Sequence, residues 1–403
     1  MAPRLAIVDF PMRFIHISDS HLGASGFSRR LSPSGFNQRE EDICHSFQAA
    51  VDQIIELKPN FVLHSGDLFH TVRPTNRIIN FAIRQILRVV GLQIPMVIIS
   101  GNHDTPKQRT VGSVFSFFEV LSPLLHLVYR NQYELIKLSE VAVHAIPHCL
   151  NQEDFSQELA KVEIGGGQRT VDGGHNLRFN ILMLHGVVAG IREFSMGQLA
   201  EQEIPTSSLE RRFDYVALGH YHRFCQVESG GYYAGSTERL SMSELGQEKG
   251  FVEVDLQTKE VKFYPVPTRE MIEFPSLNAR DLDQEQTLLE IEKRVQAENM
   301  EEKIVRLKVV DIPEHVYNSL DFRRIAELKS RTFHFDLKFE KKEEEARGQS
   351  AKTSIGKLNM EFQQFLKQAP VENLKKDKLL ELGLRYLSAD DSDQEEDKNL
   401  SLL

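Results

Sequence analysis

The sequence predicts an α/β fold, and three features carry that expectation. Short apolar runs alternate with stretches of helical periodicity from Phe14 to Ile99. A strand-rich stretch with a terminal hairpin follows. Short patterns of Asp, His and Asn recur in order, almost all directly after an apolar run, and strand ends are where an α/β sheet holds its reacting groups.

Phe14 to Ser18 reads as a strand. Glu40 to Lys58 has helical spacing, with Ile43, Phe47, Ala50, Val51, Ile54 and Ile55 on one face. Phe61 to His64 is a second strand, and Ile78, Ile79, Ala82, Ile83, Ile86, Leu87 and Val90 form the stripe of a second helix. Met96 to Ile99 is a third strand between Pro95 and Gly101. Strand signals return at Val141 to Ile146, Phe179 to Leu184 and Tyr215 to Leu218. Phe251 to Asp255 and Glu260 to Val266 make a hairpin around Gln257-Thr258-Lys259. The early alternation argues for a largely parallel sheet and the later stretch for a mixed one.

A small α+β module is expected next, with a helix over Leu282 to Val295 and then a strand, helix and strand at Ile304 to Val310, Leu320 to Leu328 and Thr332 to Phe339. Lys341 to Thr353 is charged, polar and aperiodic, as a linker is. Ile355, Leu358, Phe362, Phe365 and Leu366 mark an amphipathic helix ended by Pro370, and Leu374, Leu379, Leu380, Leu382 and Leu387 a second. An acidic tail follows, and its composition predicts disorder.

Composition bounds the rest. A chain of 403 residues is long for one core and suggests two or three domains. Hydrophobic residues at 41% and charged residues at 26% fit a globular protein. No apolar run reaches membrane-span length, so no membrane partner is expected. Met1 to Pro11 shows no signal-peptide core, which makes the cytoplasm the default compartment. Cys44, Cys149 and Cys225 are scattered, as in a reducing environment, and make no zinc pattern. The net charge of -10 argues against a simple nucleic-acid binder. Six acidic residues and one lysine between Asp390 and Lys398 supply about half of it, so a basic groove elsewhere is compatible.

The patterns are Asp19-Ser20-His21, Gly66-Asp67, His70, Gly101-Asn102-His103-Asp104, His185-Gly186 and Gly219-His220-Tyr221-His222. A carboxylate can bridge two divalent cations, and Asp67 sits in a tight Ser-Gly-Asp turn suited to that. Asp19 and His21 alternate, so an extended chain would point them apart, and the turn after the strand must reorient one for both to share a cation. Asn102 offers a neutral carbonyl oxygen, and His185, His220 and His222 offer imidazole nitrogens. Two cations with two carboxylates would keep roughly a double positive charge, attractive to a phosphodiester. Mixed oxygen and nitrogen donors suit manganese or iron(II), with zinc a further option. His103 could protonate a departing oxygen, and Asp104 could orient its imidazole.

Together, Asp-x-His-Leu-Gly, Gly-Asp-Leu-Phe-His, Gly-Asn-His-Asp, Leu-His-Gly and Gly-His-x-His span residues 14 to 222 and resemble the calcineurin-like metallophosphoesterases. Within them, His21-Leu22-Gly23 and Leu68-Phe69-His70 are similar to the SbcD family of DNA double-strand-break-repair nucleases. The resemblance implies a four-layer α/β/β/α sandwich with a small α+β capping domain and C-terminal helices. It implies one cation on Asp19, His21, Asp67 and His222 and a second on Asp67, Asn102, His185 and His220. His103 would be the catalytic acid, supported by Asp104, and His70 would contact the scissile phosphate region. The expected cofactor is two Mn2+ per chain, with Fe2+ or Zn2+ as options.

The implied domains are residues 12–268 as the nuclease, 269–340 as a DNA-binding cap, 341–354 as linker, 355–388 as a helical ATPase-binding segment and 389–403 as the acidic tail. The implied partners are double-stranded DNA ends and hairpins, an SbcC-type ABC ATPase of the SMC-like kind, and a second copy of the chain in a homodimer. A nucleoid-associated cytoplasmic location follows. The segment Tyr233-Ala234-Gly235-Ser236-Thr237 is a loose version of the family's Gly-Ser turn.

Two other readings compete. One is a phosphodiesterase or phosphatase with a small substrate, although Leu68-Phe69-His70 stands where phosphoprotein phosphatases carry an arginine soon after Gly-Asp. The other is a non-enzymatic DNA-end-binding or ATPase-tethering subunit, against which the complete ligand set argues. His16, His64 and His144 read as packed histidines. Arg29, Arg30 and Arg39 read as solvated surface, with phosphate contact the sharper alternative. Gly165 to Gly167 with Gly173-Gly174 lacks the ending of a phosphate loop and reads as a surface loop.

Overall fold

The computed structural model describes residues 11–341 other than 28–29, 164–170, 173–174, 191–200, 210–212, 228–229 and 297–299, and beyond them residue 366 and residues 378–380. The chain divides into two units, Met1–Lys342 and Glu343–Leu403. In the second, Leu366 is helical and buried, and Lys378–Leu380 are helical. Residues 1–10, the glycine runs, residues 342–354 of the expected linker, the rest of the C-terminal helices and the acidic tail lie outside the described residues.

Two six-stranded sheets face each other in the first unit. In the first sheet Arg13–Ile17, Phe61–His64, Met96–Ile99 and Leu125–Val128 run parallel. The hairpin Gly250–Asp255 and Val261–Pro265 joins antiparallel beside Arg13–Ile17. In the second sheet Val141–Ala145, Phe179–His185, Tyr215–Gly219 and Gly231–Tyr233 run parallel. Glu134–Leu138 and Cys225–Gln226 are its antiparallel edges.

The side-chain period of a strand explains the layering. Ile15 and Ile17 point to one face, where they pack with Val62 and Ile98 against the helices Gln38–Leu57 and Asn76–Val90 through Ile43, Phe47, Ile54, Ile78 and Ile86. Phe14, Phe61, Leu63, Val97 and Ile99 point to the other, against Val141, Val143, Ile181, Met183 and Ala217 of the second sheet. That sheet's outer face, with Leu182, Leu184, Val216 and Leu218, is covered by Phe155 of the helix Gln152–Ala160 and by neighbouring loops. The expected four layers are therefore present. Asn37 caps the first helix through Arg39 N–H and Glu40 N–H, with Glu40 and Glu41 in its first turn, favourable for the helix dipole.

Leu125–Val128, Glu134–Leu138 and Gly231–Tyr233 carry no clear signal in the sequence. The first two are edge strands with only two fully buried positions each, so their apolar pattern is thin.

Residues 269–341 build a separate small core. Ile304–Ile312 pairs in parallel with Met271–Glu273, Leu277–Asn278 and His334–Lys341. The helices Gln284–Gln296 and Phe322–Ser330 bring Leu288, Ile291, Ile325 and Leu328 onto Val305, Leu307 and Val309. Arg269 ties this module to the sandwich. It pairs with Asp42 and with Glu302, and its guanidinium lies 3.9 Å over the Phe333 ring. No helix among the described residues is long and apolar enough to cross a membrane.

Candidate metal centre

The loops that follow five parallel strands converge at one end of the two sheets. Ser18 to His21 follows Arg13–Ile17, Ser65 to Asp67 follows Phe61–His64, and Gly101 to Asp104 follows Met96–Ile99. His185 ends its strand, and His220 to His222 follow Tyr215–Gly219. Asp19, His21, Asp67, His185, His220 and His222 are buried; Asn102, His103 and His70 are half-buried.

The alternation of Asp19 and His21 is resolved by the backbone. Asp19 has φ 50° and His21 φ 44°, both left-handed, as are Asp67 at 53° and His220 at 101°. Such conformations cost non-glycine residues on the order of 1–3 kcal/mol each, so the surrounding contacts must hold them. Asp19 N–H donates to the Gly66 carbonyl at 3.0 Å and His21 N–H to the Asp67 carbonyl at 2.9 Å, locking the first two loops together. Glycine is needed beside them. A Cβ on Gly66, itself at φ 97°, would collide with the His185 ring, and one on Gly101 with the Asp67 carboxylate.

Asp67 is central. Its Oδ1 accepts the His103 N–H at 2.9 Å. Its Oδ2 lies 3.6 Å from His21 Nε2 and 3.4 Å from His185 Nε2. On one side His21 Nε2 and His222 Nε2 are 3.1 Å apart. On the other, Asn102 Oδ1 is 3.0 Å from His185 Nε2 and 3.1 Å from His220 Nδ1. Asp19, His21 and His222 form one cluster able to hold a cation, and Asp19, Asp67 and His185 another. Ring nitrogens aimed at one another, with carboxylate and amide oxygens between, are a donor set that fits two divalent cations.

The opposite ring edges are held from outside the cluster, as ligating histidines require. His185 Nδ1 donates to the Ser65 carbonyl at 2.8 Å. His222 Nδ1 donates to Glu244 at 3.0 Å. His220 Nε2 is 3.4 Å from Glu201, and His21 Nδ1 is 3.3 Å from His70 Nδ1. Glu201 and Glu244 escaped the sequence reading because neither belongs to a histidine or Gly-Asp pattern.

Charge reinforces this geometry. Burial pushes the His21 imidazole well below its ordinary value and His220 down to about 4, so both are neutral donors. Burial also opposes charge on His185, but Asp67 outweighs it and lifts His185 to about 9. Burial raises Asp19; for Asp67 burial is overcome by His185 and His21, which hold it well below the carboxylate range.

His103 and its neighbours depart from expectation. The His103 ring is oriented by the His70 carbonyl, 3.0 Å from Nδ1. Asp104 instead braces the loop backbone, accepting Gly101 N–H at 2.7 Å and Phe69 N–H at 3.3 Å. Burial and Asp67 raise its carboxyl well above the ordinary value. The His70 ring stacks on His103, with centroids 5.1 Å apart. A cleft of about 640 Å³ opens beside Asn102, His103 and His220, with His148, Lys107 and Glu201 also on its wall.

The arginines differ from one another. Arg39 is not at the surface: it is 1% exposed and paired with Glu238 at 3.3 Å and Asp42 at 3.5 Å. Arg30 is exposed and pairs with Glu302 at 3.0 Å; Arg29 lies outside the described residues. His16 is packed between the sheets, bonded to Tyr215 Oη at 3.0 Å and Ser65 Oγ at 2.9 Å, and His64 meets Ser20 Oγ at 2.9 Å.

Comparison with known proteins places the chain. DNA double-strand break repair protein Mre11 of Methanococcus maripaludis is 29% identical over 239 residues, 58% of this chain and 59% of that protein. Its namesake from Sulfolobus acidocaldarius is 32% identical over 216 residues, 52% of this chain and 50% of that one. The chain thus spans between half and three-fifths of the length of these relatives. A dimetal phosphatase from Danio rerio superposes at TM-score 0.34 with 11% identity, over 61% of this chain and 93% of that one, too weak a likeness to inform the site. Residues 12–224 match the family profile of the calcineurin-like phosphoesterases, a stretch that is more than half of the chain and holds every residue of the Asp67 cluster; the chain belongs to that family.

Proposed function

We propose that the chain is the nuclease subunit of a DNA double-strand-break-repair machine of the SbcD kind, hydrolysing phosphodiesters with two Mn2+ bound. The observation that carries this is the convergence on Asp67, where one carboxylate stands within 3.6 Å of histidines from two different flanks. Asp19, His21, Asp67 and His222 would hold one cation, and Asp67, Asn102, His185 and His220 the other. Two cations there would supply positive charge to a phosphodiester and make a water more acidic.

The chain's own residues would do the rest. The His103 N–H fixes Asp67, so the loop that carries the proposed acid also anchors the carboxylate that would bridge the cations. With Nδ1 committed to the His70 carbonyl, His103 would pass its proton to the departing oxygen through Nε2. The His70 ring contacts His21 and stacks on His103, and in this reading it would meet the phosphate region. Asp104 stiffens the turn that carries His103.

The same reading assigns residues 12–268 to the nuclease domain and 269–340 to a DNA-contacting cap. Residues 355–388 would engage an SbcC-type ABC ATPase, with a second copy of the chain completing a homodimer in the cytoplasm near the nucleoid. The identities to Mre11 proteins support this over a small-substrate phosphodiesterase.

The test is hydrolysis of linear duplex and hairpin DNA with Mn2+, alone and with the cognate ATPase, beside Asp67→Asn. Cleavage that vanishes in the variant supports the reading. Turnover of a small phosphodiester with no DNA cleavage under either condition would replace it.

A further inference from the structure

We propose that Glu244 and Lys249 are a buried positioning pair that sets the aim of His222 and with it the affinity of one of the two cation sites. This rests on the two-cation reading above. Neither residue lines the cleft beside Asn102 and His103, so a substrate would not touch them.

The contacts close on themselves. Glu244 Oε1 accepts His222 Nδ1–H at 3.0 Å, which directs Nε2 toward His21, 3.1 Å away. Glu244 Oε2 takes Lys249 Nζ at 2.6 Å and the Leu240 N–H at 3.1 Å. Lys249 Nζ then donates to the backbone carbonyl of His222 itself at 2.7 Å. One ammonium therefore grips both the carboxylate that holds the ring and the peptide that carries it. Ser236 N–H adds a second bond to that carbonyl at 3.1 Å.

Glu244 is 3% and Lys249 2% exposed. A buried pair of opposite charges is commonly no more stabilising than apolar side chains of the same volume, because each ion loses its hydration. Stability alone is a poor reason for this pair. A carboxylate behind an imidazole fixes the tautomer and raises the donor strength of the far nitrogen, and removing such a partner typically costs about 10–100-fold in metal affinity. His185 rests instead on a neutral carbonyl, and the Glu201 contact of His220 is longer, at 3.4 Å.

The experiment is calorimetric titration of the full chain with Mn2+, with metal analysis and the Mn2+ spin-resonance spectrum at saturation. Wild type is compared with Glu244→Ala, the double variant Glu244→Gln/Lys249→Gln and the exposed-site control Glu248→Gln. The double variant removes both charges together, so it tests the idea even if Glu244→Ala does not fold. The expected result is two cations in wild type and control. Folded Glu244 variants should keep one cation at wild-type affinity, bind the other about 10–100-fold more weakly, and lose the spin-coupled signal of the pair. Folded variants that bind both cations as wild type does would overturn the proposal. A wild-type chain that binds no Mn2+ would overturn the two-cation reading beneath it.

Discussion

The Asp67 carboxylate is anchored by the backbone of His103: Oδ1 accepts that N–H at 2.9 Å and leaves Oδ2 turned to the rings of His21 and His185. The anchor makes Asp67→Asn a clean probe. Asparagine can keep the bond to His103 through its carbonyl oxygen, but it places an amide where the two-cation proposal needs a bridging anion. Hydrolysis of duplex DNA should fall by more than about 100-fold, with an unchanged circular dichroism spectrum. Mn2+ content measured on the same samples should fall with it.

His103 and His70 should separate. The His103 ring is held by the backbone carbonyl of His70, so His70→Ala leaves that contact in place and removes only the stacked ring and its contact with His21. His103→Ala should lower kcat by about 10²–10⁴-fold while both cations remain bound. His70→Ala should cost less in kcat and more in Mn2+ affinity. Single-turnover rates and metal titration of the two variants would check the order; equal losses with unchanged affinity would refute it.

How much of this could be read in the sequence follows from where the information sits. The central strands and the helices Gln38–Leu57 and Asn76–Val90 announce themselves because they are buried on at least one continuous face. The site histidines are legible because each closes a short pattern at a strand end. What supports them is not. Glu244 lies 22 residues beyond His222, and Glu201 19 residues before His220, in segments without periodicity. Arg39 is an arginine in the first turn of a helix and reads as solvated. Its long-range contacts with Glu238 and the Arg239 carbonyl, about which the local sequence says nothing, help make it a core residue. The role expected of Asp104 went to a backbone carbonyl, which no residue pattern reveals.

That burial gives Arg39 a different phenotype from a phosphate contact. Arg39→Met leaves Glu238 unpaired by it in a buried site and should destabilise the chain by about 3–5 kcal/mol. The salt dependence of DNA affinity should not change. A drop of about one in the slope of log affinity against log salt would mark Arg39 as a phosphate contact after all. Urea denaturation and fluorescence titration at several salt concentrations distinguish the two.

His185 supplies a pH signature. Its folded value of about 9 is raised above the ordinary 6.5, chiefly because Asp67 overcomes the opposing effect of burial. In the metal-free chain this pair contributes stability that is full below about 6.5 and is lost as pH rises through about 9. A cation bound through His185 Nε2 must displace that proton, so loading at pH 7 should release about one proton per chain and affinity should climb tenfold per pH unit until about 9. Calorimetry of Mn2+ binding in two buffers of different ionisation enthalpy reads the proton directly. His185→Asn should abolish the release, whereas release that persists in that variant would assign the proton to another group.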